Sequence, residues 1–173
     1  DETIGLGTPA GMGDAAKASS HRVLKIKLDD SQITARIRAI RTARPEAELI
    51  VDANQSWTLD LLSQNGAELA ALGVRMIEQP LPRGQDAALR GLPGPVPIFA
   101  DESCHTAADL PALVGLYQGV NIKLDKTGGL TEALALARAA RAAGMGVMVG
   151  CMAGTSLSMA PAYVIAGLSD WAD

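Results

Sequence analysis

Polar residues recur at the ends of apolar, strand-like segments at a nearly constant interval, and that interval limits the folds open to this chain. Lys27 is followed by Asp52 after 25 residues, Glu78 after a further 26, Asp101 after 23 and Lys123 after 22. Such a step is the length of one strand, one helix and two short loops. The apolar strand candidates are 3–6, 23–28, 49–51, 74–77, 98–100, 120–124 and 146–149, and SDWAD at 169–173 reads as the start of an eighth. Between most of them lie Ala- and Leu-rich segments of helical period, at 11–19, 31–43, 59–72, 107–116, 131–143 and 156–167. Thr131 before Glu132 reads as a helix start and Gly144 as a stop. Only the link PLPRGQDAALRGLPGPVP, residues 80–97, breaks the rhythm, with a short helical piece at 86–90.

Strand–helix repetition with short connections predicts a parallel sheet covered by helices. An open, doubly wound sheet would carry a Gly-rich phosphate turn after an early strand, and this chain has none. The expected fold is therefore an α/β barrel of (β/α)8 type, incomplete, with strands one to seven and the beginning of the eighth. A whole barrel needs about 250 residues, against 173 here. With Asp1 at its start and a strand cut at Asp173, the chain reads as one partial barrel domain of a longer protein. No linker-like run divides it.

The interval also places the polar residues at one rim, because active sites of such barrels sit at the C-terminal ends of the strands. Three carboxylates brought together there, Asp52, Glu78 and Asp101, repel one another unless a cation lies among them. An all-oxygen set suits a hard divalent ion, Mg²⁺ first. Zinc is disfavoured, since neither His21 nor His105 falls at a matching strand end and no Cys pair has ligand spacing.

The segment VLKIKLD, 23–29, adds a second constraint. Alternate residues of a strand share a face, so Lys25 and Lys27 lie together, roughly 6.5–7 Å apart. Their repulsion is about 2.4 kcal/mol at an effective dielectric near 20. That favours a partly neutral Lys27 able to accept a proton, with Lys25 as its modulator. In a closed ring the sixth strand lies across from the second, so Lys123 is expected on the other side of a ligand held at the metal. Two bases flanking one carbon are what a racemase or epimerase requires.

KIK, VDAN, IEQP, ADES and NIKLDKTGG, in this order and spacing, resemble the enolase superfamily, muconate-lactonizing subgroup. With GCMAGTSLSMAPA added, the closest resemblance within it is to the dipeptide epimerases. The resemblance covers essentially the whole chain. It implies Lys27 and Lys123 as the two bases, Lys25 as assistant, and Asp52, Glu78 and Asp101 as Mg²⁺ ligands. Asn54 and Glu102 are implied as supports of those groups, and Cys151, Met152 and Thr155 as the lining of the substrate pocket. The reaction implied is 1,1-proton transfer on a dipeptide or N-acylated amino acid through an enediolate. It also implies an N-terminal capping domain and a final strand that this chain lacks, and with that strand an Asp-x-Asp pair that would hold the dipeptide ammonium.

Other readings remain open at this point. N-acylamino acid racemisation, o-succinylbenzoate synthesis and cycloisomerisation share the same chemistry, and a non-catalytic barrel would keep the fold alone. A Schiff-base lyase would need an isolated lysine and no carboxylate cluster. A net charge of −4 without a basic patch excludes a nucleic-acid footprint, and no apolar run reaches membrane-spanning length. Cys104 and Cys151 are too few for a disulfide framework and read as buried thiols. A cytoplasmic enzyme is expected, with homo-oligomer formation left open.

Overall fold

Strand register is what levels the polar residues. The computed structural model describes residues 1–92 and 94–173, and the chain divides into two units, Asp1–Ile98 and Phe99–Asp173. Pro93, in the irregular link, lies outside the described residues. The first unit runs β1 (Glu2–Ile4), α1 (Pro9–Ala18), β2 (Val23–Lys27), α2 (Ile33–Ala43), β3 (Glu48–Asp52), α3 (Leu59–Ala71) and β4 (Val74–Glu78), with a 3₁₀ turn at Asp86–Leu89. β1 pairs with β2, β2 with β3 and β3 with β4, all parallel. Lys27 stands opposite Asp52, and Asp52 opposite Glu78. The helices close over the outer face through Ile33, Ile37 and Ile40 of α2 and Leu62 and Leu69 of α3, all buried.

The second unit carries β5 (Ile98–Ala100) beyond its first residue, a 3₁₀ turn at Ala107–Asp109, α4 (Leu110–Leu113), β6 (Gly119–Lys123), α5 (Leu124–Thr127) and α6 (Leu130–Ala142). It continues with β7 (Gly146–Gly150), α7 (Ser156–Met159), α8 (Ala162–Ala166) and β8 (Trp171–Ala172). Again every pairing is parallel between strands consecutive in the chain. The α6 face of Ala133, Leu136, Ala137 and Ala140 is buried. Small residues along that stripe let the helix lie close to the strands. Parallel strand–helix repetition in chain order is the incomplete (β/α)8-type architecture expected from the interval.

Several elements differ from expectation, each for a local reason. β1 ends at Ile4, before Gly5. β6 stops at Lys123, and Leu124 instead begins the turn of α5. The helix expected at 107–116 is a 3₁₀ turn plus one turn of α4, ended before Gly115 at φ 82°. The helix expected at 156–167 is broken into α7 and α8 at Pro161, whose ring removes an amide donor. Thr131 is not a cap: α6 starts from Gly129, and Glu132 accepts a hydrogen bond from the Ala107 amide. No helix among the described residues is long and apolar enough to cross a membrane.

Candidate active site

In the first unit the site residues are the last residues of their strands: Lys27 of β2, Asp52 of β3 and Glu78 of β4. Lys25, one step earlier on the same face as Lys27, is only 2% exposed and its Nζ lies 3.2 Å from Asp52 Oδ2 and 3.0 Å from Glu78 Oε2. A lone buried ammonium would be costly; two carboxylates beside it offset that cost. Lys27 is different. Its side chain is 35% exposed, and Nζ donates to Asp52 Oδ2 at 2.6 Å and to Asn54 Oδ1 at 2.8 Å. The inner lysine is locked and the outer one reaches the surface.

The backbone beyond these strands is unusual. Asn54, Gln55 and Gln79 take positive φ, at 41°, 65° and 34°. Side-chain-bearing residues adopt that region at a cost of about 1–2 kcal/mol each, least for Asn. The bend turns the Asn54 amide onto Asp52 Oδ1 at 3.0 Å and the Gln55 amide onto the Gln79 carbonyl at 2.8 Å. Asn54 thus holds Asp52 through its backbone amide and Lys27 through its side-chain oxygen. Behind the β2 end, Asp29 accepts from Arg36 and the Ser31 amide, and its carbonyl accepts from Trp57 Nε1 at 2.9 Å.

In the second unit Asp101 follows β5 directly and Lys123 ends β6. Lys123 Nζ donates to Asp101 Oδ2 at 2.6 Å, and Lys126 Nζ to Asp101 Oδ1 at 2.6 Å. Burial alone would raise the Asp101 carboxyl, but the Lys126 and Lys123 ammonium groups outweigh it and bring its pKa down to about 2. Gly150 faces Lys123 in the β6–β7 register. A methyl group there would lie 2.9 Å from Asn121 Oδ1 and 3.1 Å from Lys123 Cε, so glycine leaves room for the lysine stem.

Lys126 is the functional-looking residue that sequence reasoning missed. It stands inside the quoted KLDKTGG, three residues past Lys123. Only the turn of α5, which brings it back under β5, reveals where it goes.

The strand-seven residues divide. Cys151 lines a cavity of about 240 Å³ with Val149, Met159, Ala162 and Tyr163, while Met152 and Thr155 are not among its walls. The Met152 amide donates to Asp125 Oδ2 at 3.3 Å, and the Thr155 hydroxyl caps α7 by accepting from the Ser158 amide. Cys151 is half-buried rather than buried; Cys104 is fully buried, and both thiols are free. Burial pushes the Cys104 thiol up to about 12.

Among the described residues no three His, Cys, Asp or Glu side chains stand close enough together to form a ready-made metal cage. Asp52 and Glu78 are held by Lys25, Asp52 also by Lys27, and Asp101 by Lys123 and Lys126. The donor chemistry nevertheless fits a hard cation. All three carboxylates are buried and supply oxygen only, and the buried Oε2 of Glu102, next to Asp101, has no hydrogen-bond partner among the described residues.

Parallel βα repeats in chain order, with lysines and carboxylates at the C-terminal ends of their strands, are the pattern of a (β/α)8-type domain. The chain belongs to the enolase C-terminal domain-like family, which it matches over residues 10–170. It is 51% identical over 175 residues to an L-Ala-D/L-Glu epimerase of Escherichia coli, covering 99% of this chain and 54% of that protein. It is 49% identical over 172 residues to an N-acetyl-D-glutamate racemase of a Pseudoalteromonas species, covering 99% and 55%. A solved dipeptide epimerase of Enterococcus faecalis, in complex with Mg and the dipeptide L-Leu-L-Tyr, superposes with a TM-score of 0.93 at 34% identity, covering 100% of this chain and 53% of that one. The chain spans about half the length of the curated relatives it matches.

Proposed function

We propose that this chain supplies the proton-transfer half of an Mg²⁺-dependent epimerase that inverts the α-carbon of a dipeptide. The observation that carries the reading is a repeated pairing. A strand-end lysine is held on a buried carboxylate in each unit, Lys27 on Asp52 and Lys123 on Asp101, both at 2.6 Å. Membership of the enolase family and the relatives' names support it.

Lys27 and Lys123 are the two bases, one for each face of the α-carbon. One takes the proton and the other returns a proton from the opposite side, so the substrate leaves inverted. Each lysine is oriented by its carboxylate before substrate arrives. Lys25, locked between Asp52 and Glu78, is a fixed positive charge beside Lys27. Asp52, Glu78 and Asp101 are the residues that would hold Mg²⁺, which when bound offsets negative charge developing on the substrate carboxylate. Asn54 supports Asp52, Glu102 stands beside Asp101 with a buried oxygen to offer, and Cys151, Met152 and Thr155 are assigned to the substrate side chain, Cys151 through the cavity it lines.

The relative named N-acetyl-D-glutamate racemase favours a second reading in which the substrate is an N-acylated amino acid. Both names share a glutamate acylated at nitrogen; the dipeptide adds an ammonium group. Comparing kcat/KM for L-Ala-L-Glu and N-acetyl-L-glutamate separates the two.

The mechanism is tested by exchange of the substrate α-proton with solvent deuterium in the intact protein. Lys27→Ala should stop exchange of one epimer and spare part of the other, Lys123→Ala the reverse. Both should lower net epimerisation by about 10²–10⁴-fold. Chelation should abolish exchange and Mg²⁺ restore it. Either lysine variant exchanging both epimers at the parent rate sinks the two-base mechanism.

A further inference from the structure

The two lysines of the β6 end are held in different ways. Lys126 Nζ meets four oxygens: Asp101 Oδ1 at 2.6 Å, the Asp101 carbonyl, and the carbonyls of Cys104 and Asn121, both at 2.9 Å. Its side chain is 6% exposed. An ammonium has three N–H donors and no acceptor, so this surround uses it fully. Gly128 and Gly129, at φ 74° and 143°, end α5 immediately afterwards, and the single turn between Lys123 and Gly128 carries Lys126 back beneath β5. Its bonds tie the segment after β5, residues 101 to 104, to the β6 backbone. Lys123 takes the other oxygen of the same carboxylate.

We propose that Lys126 is a positioning residue, a structural cation that fixes the Asp101 carboxylate by Oδ1, leaves Oδ2 to Lys123 and holds the carboxylate in the orientation in which it would serve a divalent ion. The proposal rests on the reading of Asp101 as a metal ligand. It separates two roles that sequence spacing leaves merged: Lys123 works and Lys126 braces. Simple charge counting gives the opposite expectation, because deleting a positive charge beside a ligand draws a cation more strongly. A brace that orients the ligand gives weaker binding when removed, by about ten- to a hundredfold for a group supporting a metal ligand.

The test is Mn²⁺ titration of the intact protein followed by electron paramagnetic resonance, with metal-free thermal unfolding in parallel. Lys126→Met keeps the length of the stem and removes the donors; it should bind Mn²⁺ about ten- to a hundredfold more weakly than the parent and unfold at a lower temperature. Asp101→Asn is the control for the underlying reading and should lose the site. Parent-like or tighter binding by Lys126→Met, with the Asp101→Asn site lost, overturns the brace and leaves Asp101 as a ligand. Unchanged binding by Asp101→Asn overturns the ligand reading and the proposal with it. Should Lys126→Met not fold, Lys126→Arg, which keeps donors toward Asp101, decides. Binding within a few-fold of the parent supports the brace, and loss of binding by a folded Arg variant overturns it.

Discussion

At the ends of β2, β3 and β4, two lysines share the carboxylates of Asp52 and Glu78, whereas at the ends of β5 and β6 two lysines share the single carboxylate of Asp101. Each region holds one lysine locked from several sides, Lys25 or Lys126, and one offered by the last residue of a strand, Lys27 or Lys123. The means differ. The first region bends its backbone through Asn54, Gln55 and Gln79 at positive φ and makes hydrogen bonds from the bend. The second uses glycine, at 128 and 129 to turn and at 150 to leave space. The comparison teaches that strain borne by side-chain-bearing residues is tolerated where those side chains are themselves used. Asn54 holds Lys27, and Gln55 accepts from the Arg83 amide at 3.0 Å. Gly128, Gly129 and Gly150 offer no side chain to use.

The most damaging way to break this contrast is to fill the space at Gly150. Gly150→Ala puts a methyl group against Asn121 and Lys123 Cε at distances real Cβ contacts avoid. The Asn121 amide must move aside and the lysine stem must give by a few tenths of an ångström, part of the 1 Å misplacement that costs on the order of 10²-fold in rate. We expect kcat to fall by about tenfold with KM little changed, and, if Lys123 has its proposed role, the loss to fall more heavily on one epimer than on the other. Parent-like kcat in a folded Gly150→Ala protein would show that the close approach is incidental.

Asn54 tests the other side of the contrast. Asn54→Ala keeps the positive φ and removes the Lys27 contact; Asn54→Gly removes the contact and relieves the backbone. Both should slow turnover by a similar factor, whereas in chemical denaturation the Gly variant should be about 1 kcal/mol more stable than the Ala variant. Equal stabilities would mean that the bend carries no strain.

How much of this was legible beforehand follows from the same residues. Residues that end strands were readable, because the interval of 22 to 26 residues levels Lys27, Asp52, Glu78, Asp101 and Lys123 whatever the loops do. The parallel βα order was readable from the same interval. What turns after the strands was not. Lys126 sits in a one-turn helix whose direction depends on two glycines, and the apolar pattern of NIKL carried the predicted strand one residue too far. Positive φ at Asn54, Gln55 and Gln79 has no marker in a sequence where only Asn is at all typical of it. The helices at 107–116 and 156–167 were overestimated because helical period extends over Gly115 and Pro161, which break it locally.

The smallest expected effect sharpens the comparison through acid stability. Behind the β2 end, Asp29 is held by Arg36, and by the Ser31 amide after it, so its pKa falls from an ordinary 3.8 to about 2. A group whose pKa is lowered on folding contributes stability that is fully present above its unfolded value and fades as pH falls through its folded value. The contribution of Asp29 is therefore complete above about pH 4 and disappears on the way down to about pH 2. Its side chain is 35% exposed, so screening limits the effect to about 1 kcal/mol or less. Asp29→Asn should accordingly be slightly less stable than the parent near neutral pH, by urea unfolding, and the gap should close between pH 4 and pH 2. Lys126 under Asp101, besides the carboxylate, meets the backbone carbonyls of Asp101, Cys104 and Asn121, which do not titrate. A gap for Asp29→Asn that stays constant down to pH 2 would mean that Arg36 is held by Gly7 and Ser31 carbonyls alone, and that the β2 end is braced through backbone just as the β6 end is.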